Sequence, residues 1–439
     1  MGYNSPESIH KIAIKSNGNP VHNSPIKKGT INKIKNIPIF LQSGFRNFFI
    51  IVISGFNYFY IQIIIILNME VKEIDINIIF NSMGEKTFEA VINKKSTASS
   101  PSGTSKSNYE TKNLPVEKAL KNFLKIRNQF IGSFTQKEFD NLLRKNIEKF
   151  GSSLTTALSL AFFSLNFKPE KFNFFPNVLS NVLAGGVHTF GKTKNEIQEI
   201  LVLPKAKTIY DAIETNFKIW KEIGNKLKGK NKLIGLNQES AWLADIESIE
   251  SLELVSKVAE NYSARIGIDM AASNIFKDHS YCYHNKRLSE SEQIEYIINL
   301  IEMFNLFYVE DPLEENDFLG FAELNKKTRA LICGDDLIAT HVKRFEDAIN
   351  KKSVSAVIIK PNQVGTVSDC FEIIKLAKTN KIISVVSHRS KETCCPVIAK
   401  LSLYSQLAKF GVGGIRTAKI NELIRLWKIV KNPTINKVI

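Results

Sequence analysis

"LFYVEDPLEENDF", residues 306–318, decides the fold because it places carboxylates directly after an apolar run. Its first four letters are typical of a buried parallel strand, and Glu310 and Asp311 follow with no polar spacer. Acidic side chains are normally found where water solvates them. A strand that ends in acids therefore predicts a site in which another group holds those carboxylates.

Four further apolar runs end in polar residues in the same way. They are "RIGIDM" (265–270), "ALICGDD" (330–336), "AVIIKPN" (356–362) and "ISVVSHRS" (383–390). Between two of these runs, residues 289–304 have helical periodicity, and Ser289 and Glu292 form a capping box at its start. Strands that alternate with amphipathic helices are typical of a parallel α/β sheet or barrel.

The spacing of the polar residues at the strand ends indicates which α/β fold this is. Asp269, Glu310, Asp335, Lys360 and His388 are separated by 41, 25, 25 and 28 residues, about one strand-plus-helix unit each time. In a (β/α)8 barrel such strand ends meet at one rim, where active sites are built. We therefore predict a TIM-like β/α barrel with its active site over residues 174–439.

A smaller α+β domain is predicted over residues 69–170. It begins with a strand, a tight turn ("NSMGEK") and a second strand, followed by the Ser-rich loop "STASSPSGTSKSN". Residues 115–166 then have the apolar periodicity of helices.

The first 68 residues allow two interpretations. Residues 47–69 carry no formal charge and are long enough to form a membrane anchor. However, polar residues interrupt this run, and a predicted strand begins at Met69 with no linker. We therefore expect residues 1–68 to be a disordered extension or a wrongly assigned start, with Met69 as the working start and no membrane association.

Composition narrows the class of protein. The net charge of +16 has two interpretations. The protein could bind nucleic acid or a membrane, or it could have a solvated Lys-rich surface around a site for an anionic substrate. The lysines are spread along the chain, so no specific nucleic acid is expected. The five cysteines are an odd number without CxxC spacing, which indicates a reducing, cytoplasmic location and no structural zinc.

Three carboxylates at one rim need a compensating cation, because they repel one another when ionised. Oxygen ligands without His or Cys suit Mg²⁺. We therefore predict that Asp269, Glu310 and Asp335 bind a divalent metal ion. The alternative is that each acid caps a helix or pairs with a surface lysine.

The next strand ends supply groups for proton abstraction and phosphate binding. An ammonium beside a dication loses its proton more easily, so Lys360 suits a general base, although a structural salt bridge is the simpler alternative. Arg389, between His388 and Ser390, suits bidentate phosphate binding, unless this segment only caps a helix. Together these residues indicate abstraction of a proton next to a carboxylate.

Eleven stretches between Met69 and about Arg425 resemble motifs of the enolase (phosphopyruvate hydratase) family in family order, with an archaeal-like, divergent pattern. "NSMGEKTFEAVI" resembles D-S-R-G-N-P-T-V-E-V, "NQESAW" resembles G-D-E-G-[AG], and "VEDPLEEND" resembles x-E-D-P-x-x-E-x-D. The others are "PSGTSK", "AGGVH", "IQEILV", "GIDMAAS", "GDDL", "KPNQVGT", "SHRSKET" and "AKINELIRL".

The resemblance implies a lyase that converts 2-phosphoglycerate to phosphoenolpyruvate in glycolysis and gluconeogenesis. It implies two Mg²⁺ ions per active site and a homo-oligomer, commonly a dimer or an octamer. The first Mg²⁺ would be bound by Asp269, Glu310 and Asp335, and Ser105 would reach the second.

By the same resemblance, Lys360 would remove the C2 proton and Glu239 would act as general acid on the C3 hydroxyl. The positions that would contact substrate are Gln198, His388, Arg389, Ser390 and Lys409. Those that would support the site are His188 and Glu199.

Several positions depart from the family motifs. Lys391 stands where S-H-R-S-G-E-T has Gly, which would place a cation near the phosphate site and add strain if that backbone needs positive φ. Gln238 stands before Glu239 where the family motif has Asp, and Ala184 stands before Gly-Gly where the family motif has Asn. Lys106 and Ser107 replace the Thr-Gly of the closing loop, and the segment around Lys409 reads Lys-Phe-Gly.

Two other functions remain open at this stage. One is a catalytically weakened homologue that serves as a basic binding or scaffold protein. The other is a different proton abstraction, on an unphosphorylated carboxylate.

Overall fold

The computed structural model describes residues 68–104, 107–165, 167–186 and 193–438, together with four two-residue strand segments nearer the N-terminus. The chain separates into two compact units, Met1–Asn68 and Met69–Ile439. Most of the predicted extension, and the predicted site residues Ser105 and His188, lie outside the described residues. Within the described part of the chain, no helix has the length and apolar character needed to cross a bilayer.

The first part of the second unit contains both sheet and helix, as predicted. Its strands are β1 Met69–Val71, β2 Ile74–Phe80, β3 Lys86–Ile92, β4 Ser96–Ser99 and β5 Gly132–Phe134. Strands β2, β3 and β4 form an antiparallel sheet, and β1 pairs with β5. Its helices are α1 Val116–Ile126, α2 Gln136–Lys145 and α3 Ile147–Leu165.

In the part of the chain that the structure describes, the sheet of the barrel contains ten strands. They are β6 Asn177–Ala184, β7 Glu199–Pro204, β8 Leu233–Leu236, β9 Trp242–Ala244, β10 Ala264–Asp269, β11 Tyr308–Glu310, β12 Leu331–Gly334, β13 Ala356–Ile359, β14 Ile383–Ser387 and β15 Leu407–Lys409. Strand β6 pairs with both β15 and β7, which closes an eight-stranded barrel, and the β8–β9 hairpin adds to β6. The predicted TIM-like barrel is confirmed, with β7 antiparallel to both neighbours.

The helices that cover the barrel follow the predicted alternation. They are α4 Ile209–Gly229, α5 Ser248–Glu260, α6 Glu290–Phe304, α7 Phe318–Lys327, α8 Val342–Lys351, α9 Pro361–Val364, α10 Val367–Thr379, α11 Val397–Ser402 and α12 Thr417–Ile429. The predicted capping box of Ser289 and Glu292 is present at the start of α6. Short 3-10 turns cover Arg127–Phe130, Pro169–Lys171, Ala272–Ile275 and Gly414–Arg416.

Strand register aligns the acidic residues at the rim. Asp269 is the register partner of Glu199 on one side and of Glu310 on the other. Register partners on adjacent strands point to the same face of a sheet, so these three side chains share one face. Asp311 follows with φ 41°, which turns the chain away as soon as the strand ends.

Gly365 should tolerate no side chain. It ends α9 with φ 90°, and a Cβ there would lie 2.5 Å from Thr155 Oγ1 on α3. We expect Gly365→Ala to lower the free energy of unfolding by about 2 kcal/mol, because it combines left-handed backbone strain with a steric clash. Urea denaturation measures this.

The matched control is Gly229→Ala. This glycine is the last residue of α4, and a Cβ added to it would meet no atom within 4 Å beyond its chain neighbours and the backbone of its own helix, so we expect a change below about 1 kcal/mol. Equal effects of the two substitutions would contradict the packing described for α3 and α9.

Candidate active site

A small, mostly polar cavity opens at the predicted rim of the barrel. Predicted site residues that line it are Gln198, Glu199, Glu239, Asp269, Asp335, Lys360, His388, Arg389, Ser390 and Lys409. Glu310 is fully buried and contacts the lining residue Lys409. The structure therefore brings together the predicted site residues that it describes.

Lys409 lies at the centre of an acidic row formed by Glu199, Asp269 and Glu310. Its Nζ is 2.8 Å from Glu199 Oε2, 3.1 Å from Asp269 Oδ2 and 2.9 Å from each carboxylate oxygen of Glu310. Burial acts to lower the pKa of Lys409, but these carboxylates outweigh it, and the pKa is raised well above its usual value. Lys409 therefore carries a positive charge.

Glu310 and Glu199 retain protons more strongly than free carboxyl groups. Burial and then the charge of Asp269 raise the pKa of Glu310 to about 8. Burial and then the charge of Glu239 raise the pKa of Glu199 well above its usual value. The row thus has more carboxylates than its single central ammonium can neutralise.

Asp335 pairs with the other lysine of the rim. Lys360 Nζ donates a hydrogen bond to Asp335 Oδ2, and Gln363 Nε2 donates to Asp335 Oδ1 at 2.9 Å. Burial acts to raise the pKa of Asp335 and to lower that of Lys360. The ion pair outweighs both effects, so the pKa of Asp335 is lowered and that of Lys360 is raised. The structural salt bridge considered for Lys360 is present in this structure.

Arg389 is buried in a bidentate ion pair that sequence reasoning missed. Its two terminal nitrogens donate to the carboxylate of Glu110 at 2.8 and 3.1 Å, and one of them also donates to Asn362 Oδ1 at 3.2 Å. Glu110 follows the Ser-rich loop by two residues, and nothing in its local sequence indicates its partner. On the next residue, Ser390 Oγ accepts a hydrogen bond from the backbone N–H of Thr104 at 2.8 Å.

Glu239 lies beside a histidine whose tautomer is fixed. Arg416 Nε donates to His388 Nδ1 at 2.8 Å, so the proton of the neutral ring resides on Nε2. Burial lowers the pKa of His388 well below its usual value, which keeps the ring neutral. His388 Nε2 lies 3.7 Å from Glu239 Oε2, and Asn181 Nδ2 donates to that oxygen at 3.2 Å.

The predicted metal ligands are divided between the two lysines in this structure. Asp269 and Glu310 contact Lys409, whereas Asp335 contacts Lys360. Among the described residues, Asp311, Asp335 and Asp336 are the only acidic trio in which one oxygen from each residue lies within 4.8 Å of the other two. The Asp311 carboxylate accepts hydrogen bonds from the backbone N–H groups of Asp335 and Asp336 at 2.9 and 2.7 Å, so it fixes the turn after β12.

Comparison with known proteins decides the family. The family model "Enolase, C-terminal TIM barrel domain" matches residues 173–434. The chain belongs to the enolase family. It is 34% identical to the enolase of Picrophilus torridus over 405 residues, which cover 82% of this chain and 99% of the relative. It is 36% identical to that of Methanocorpusculum labreanum over 395 residues, covering 81% and 98%. The predicted enolase family and lyase class are confirmed.

Lys391, which replaces a glycine of the enolase motif, adopts a different role from the one expected. Its φ is not positive, and it does not line the cavity. Its Nζ pairs with Glu85 at 2.5 Å, and its backbone exchanges two 3.0 Å hydrogen bonds with Ser102. Glu85 itself stands where the enolase motif D-S-R-G-N-P has Asn, so two departures from the motif compensate each other.

A double-mutant cycle with Lys391→Met and Glu85→Gln tests this pair. The side chains are 20% and 48% exposed, so solvent screens the interaction. We expect a coupling energy of about 0.5 kcal/mol in urea denaturation, and a smaller value at high salt. Strictly additive effects at low salt would show that the two charges do not interact.

Proposed function

We propose that this protein is a phosphopyruvate hydratase, which converts 2-phospho-D-glycerate reversibly to phosphoenolpyruvate with loss of water. One observation supports this most strongly. Among the described residues at the rim, four carboxylates contact the ammonium groups of Lys360 and Lys409. The carboxylates are those of Glu199, Asp269, Glu310 and Asp335.

The donor set fits a divalent metal ion. With these four acids ionised and both lysines protonated, the six side chains carry a net charge of −2, which one Mg²⁺ would neutralise. All the donors are oxygens, which Mg²⁺ prefers. Asp269, Glu310 and Asp335 would hold this ion, and Ser105 would contribute to a second. The bound metal would stabilise the second negative charge that the substrate carboxylate acquires during the reaction.

Lys360 and Glu239 are the proposed base and acid. Lys360 Nζ must be uncharged to take the C2 proton, and its ion pair with Asp335 opposes this. A cation held by Asp335 would weaken that ion pair and so lower the pKa of Lys360. The electrons of the C2–H bond then form the C2=C3 double bond, the C3–O bond breaks, and Glu239 protonates the leaving hydroxide to give water.

The other cavity residues suit binding of the substrate. Arg389 and Ser390 are the proposed phosphate contacts, with the phosphate replacing Glu110 as the bidentate partner of the guanidinium. Gln198 and Lys409 are the proposed contacts for the other end of the substrate. Among the described residues, Gln198 Oε1 is a buried atom that has no hydrogen-bond partner, which leaves it available for a ligand.

Removal of metal ions should abolish turnover. We expect formation of phosphoenolpyruvate from 2-phosphoglycerate to stop in EDTA and to return when excess Mg²⁺ is added. Unphosphorylated glycerate, assayed in parallel, should give no reaction. Absence of any metal-dependent turnover would contradict the proposal and favour a binding or scaffold protein.

Replacement of the proposed base should separate chemistry from metal binding. We expect Lys360→Ala to reduce kcat by about a hundred- to ten-thousandfold, while Mg²⁺ still binds in calorimetric titration. Exchange of the C2 proton with solvent deuterium should be lost in the same variant. The matched control is Lys343→Ala, a lysine on α8 outside the cavity, which should behave as wild type. Wild-type exchange in Lys360→Ala would refute this assignment.

A further inference from the structure

The residue after Glu239 has a backbone conformation that is unfavourable for its side chain. Ser240 has φ 64°, in the left-handed region that favours glycine, and the enolase motif G-D-E-G has glycine at this place. The surrounding structure must therefore hold Ser240 in this conformation. Any relaxation at Ser240 would move the neighbouring Glu239.

Two stacked tryptophans hold the backbone carbonyl group of Ser240. Trp220 Nε1 donates a hydrogen bond to the backbone oxygen of Ser240 at 2.9 Å, and Trp242 Nε1 donates to the backbone oxygen of Trp220 at 2.6 Å. The two rings stack with centroids 4.6 Å apart and an interplanar angle of 15°. Trp220 thus connects α4 to the turn that carries Glu239.

Close packing leaves this tryptophan pair little freedom. A Cβ on Gly224 would lie 2.4 Å from the Trp242 ring, so only glycine allows the ring its position. On the other side of the turn, a Cβ on Gly414 would lie 2.5 Å from Ser240 Oγ. The turn is therefore confined between the tryptophan rings and the residues that precede α12.

The turn itself directs the carboxyl group. Asn237 Oδ1 accepts hydrogen bonds from the backbone N–H groups of Glu239 and Ala241, each at 2.9 Å, and these bonds close the turn around Glu239. Glu239 is buried and lines the cavity. Its position therefore depends on the conformation of residues 237–241, to which Trp220 and Trp242 are attached.

We propose that the stacked pair Trp220–Trp242 is a positioning device for the general acid Glu239. The pair acts by holding the Ser240 carbonyl in the left-handed turn. This inference rests on the proposed function, because it concerns the placement of a proton donor for that reaction. A small misplacement of a catalytic group reduces the rate of the chemical step more than it reduces substrate binding.

Trp220→Phe tests the proposal, because it keeps an aromatic ring and removes the N–H that reaches Ser240. We expect kcat for 2-phosphoglycerate to fall about tenfold while KM changes less than about twofold. The matched control is Trp427→Phe, a half-buried tryptophan that packs on Phe175 instead, and it should keep wild-type kcat. Thermal midpoints are measured for both variants.

Rescue separates positioning from general destabilisation. Glycine adopts the left-handed conformation without help, so Ser240→Gly in the Trp220→Phe background should restore kcat at least about threefold. If Trp220→Phe does not fold, Trp242→Phe replaces it in the test. We then expect a similar fall in kcat in Trp242→Phe and its recovery when Ser240→Gly is added.

The outcomes distinguish this proposal from the one on which it rests. An active wild type with equal kcat in Trp220→Phe and Trp427→Phe would overturn the positioning role alone. A loss of kcat that Ser240→Gly does not restore would also overturn it. A wild type without turnover would contradict the proposed function and the positioning role together.

Discussion

The site depends on an imbalance of charge at one rim of the barrel. Burial withholds water from the carboxylates of Glu199, Asp269, Glu310 and Asp335, and these four groups contact two ammonium groups, Lys409 and Lys360. The pKa of Glu310 is raised to about 8 for this reason, whereas Asp335 stays ionised because Lys360 pairs with it. The same imbalance would favour binding of a divalent cation, and neutralisation of Asp335 would weaken the ion pair that keeps Lys360 protonated.

The barrel creates this imbalance through strand direction and register. Asp269 and Glu310 lie at the ends of parallel strands, whereas Glu199 lies at the start of β7, which runs in the opposite direction. Reversal of this one strand brings its first residue to the rim where its neighbours end. Lys409, at the end of β15, then reaches all three acids from across the barrel.

Much of this arrangement could be predicted from the sequence, because apolar runs that end in Asp269, Glu310, Asp335, Lys360 and His388 mark strand ends directly. The ion pair between Arg389 and Glu110 could not, since it joins segments 279 residues apart and neither segment has a pattern that indicates the other. The central position of Lys409 depends on register across the barrel, which local sequence does not encode. The strained turn at Ser240 is visible only when backbone angles are known.

The most direct test is diffraction from crystals grown with Mn²⁺ in place of Mg²⁺, with data collected at the manganese absorption edge. We predict an anomalous peak among the carboxylate oxygens of Asp269, Glu310 and Asp335, with the Lys409 ammonium displaced from the first two. A peak confined to Asp311 and Asp336, or no peak at the rim, would contradict the account.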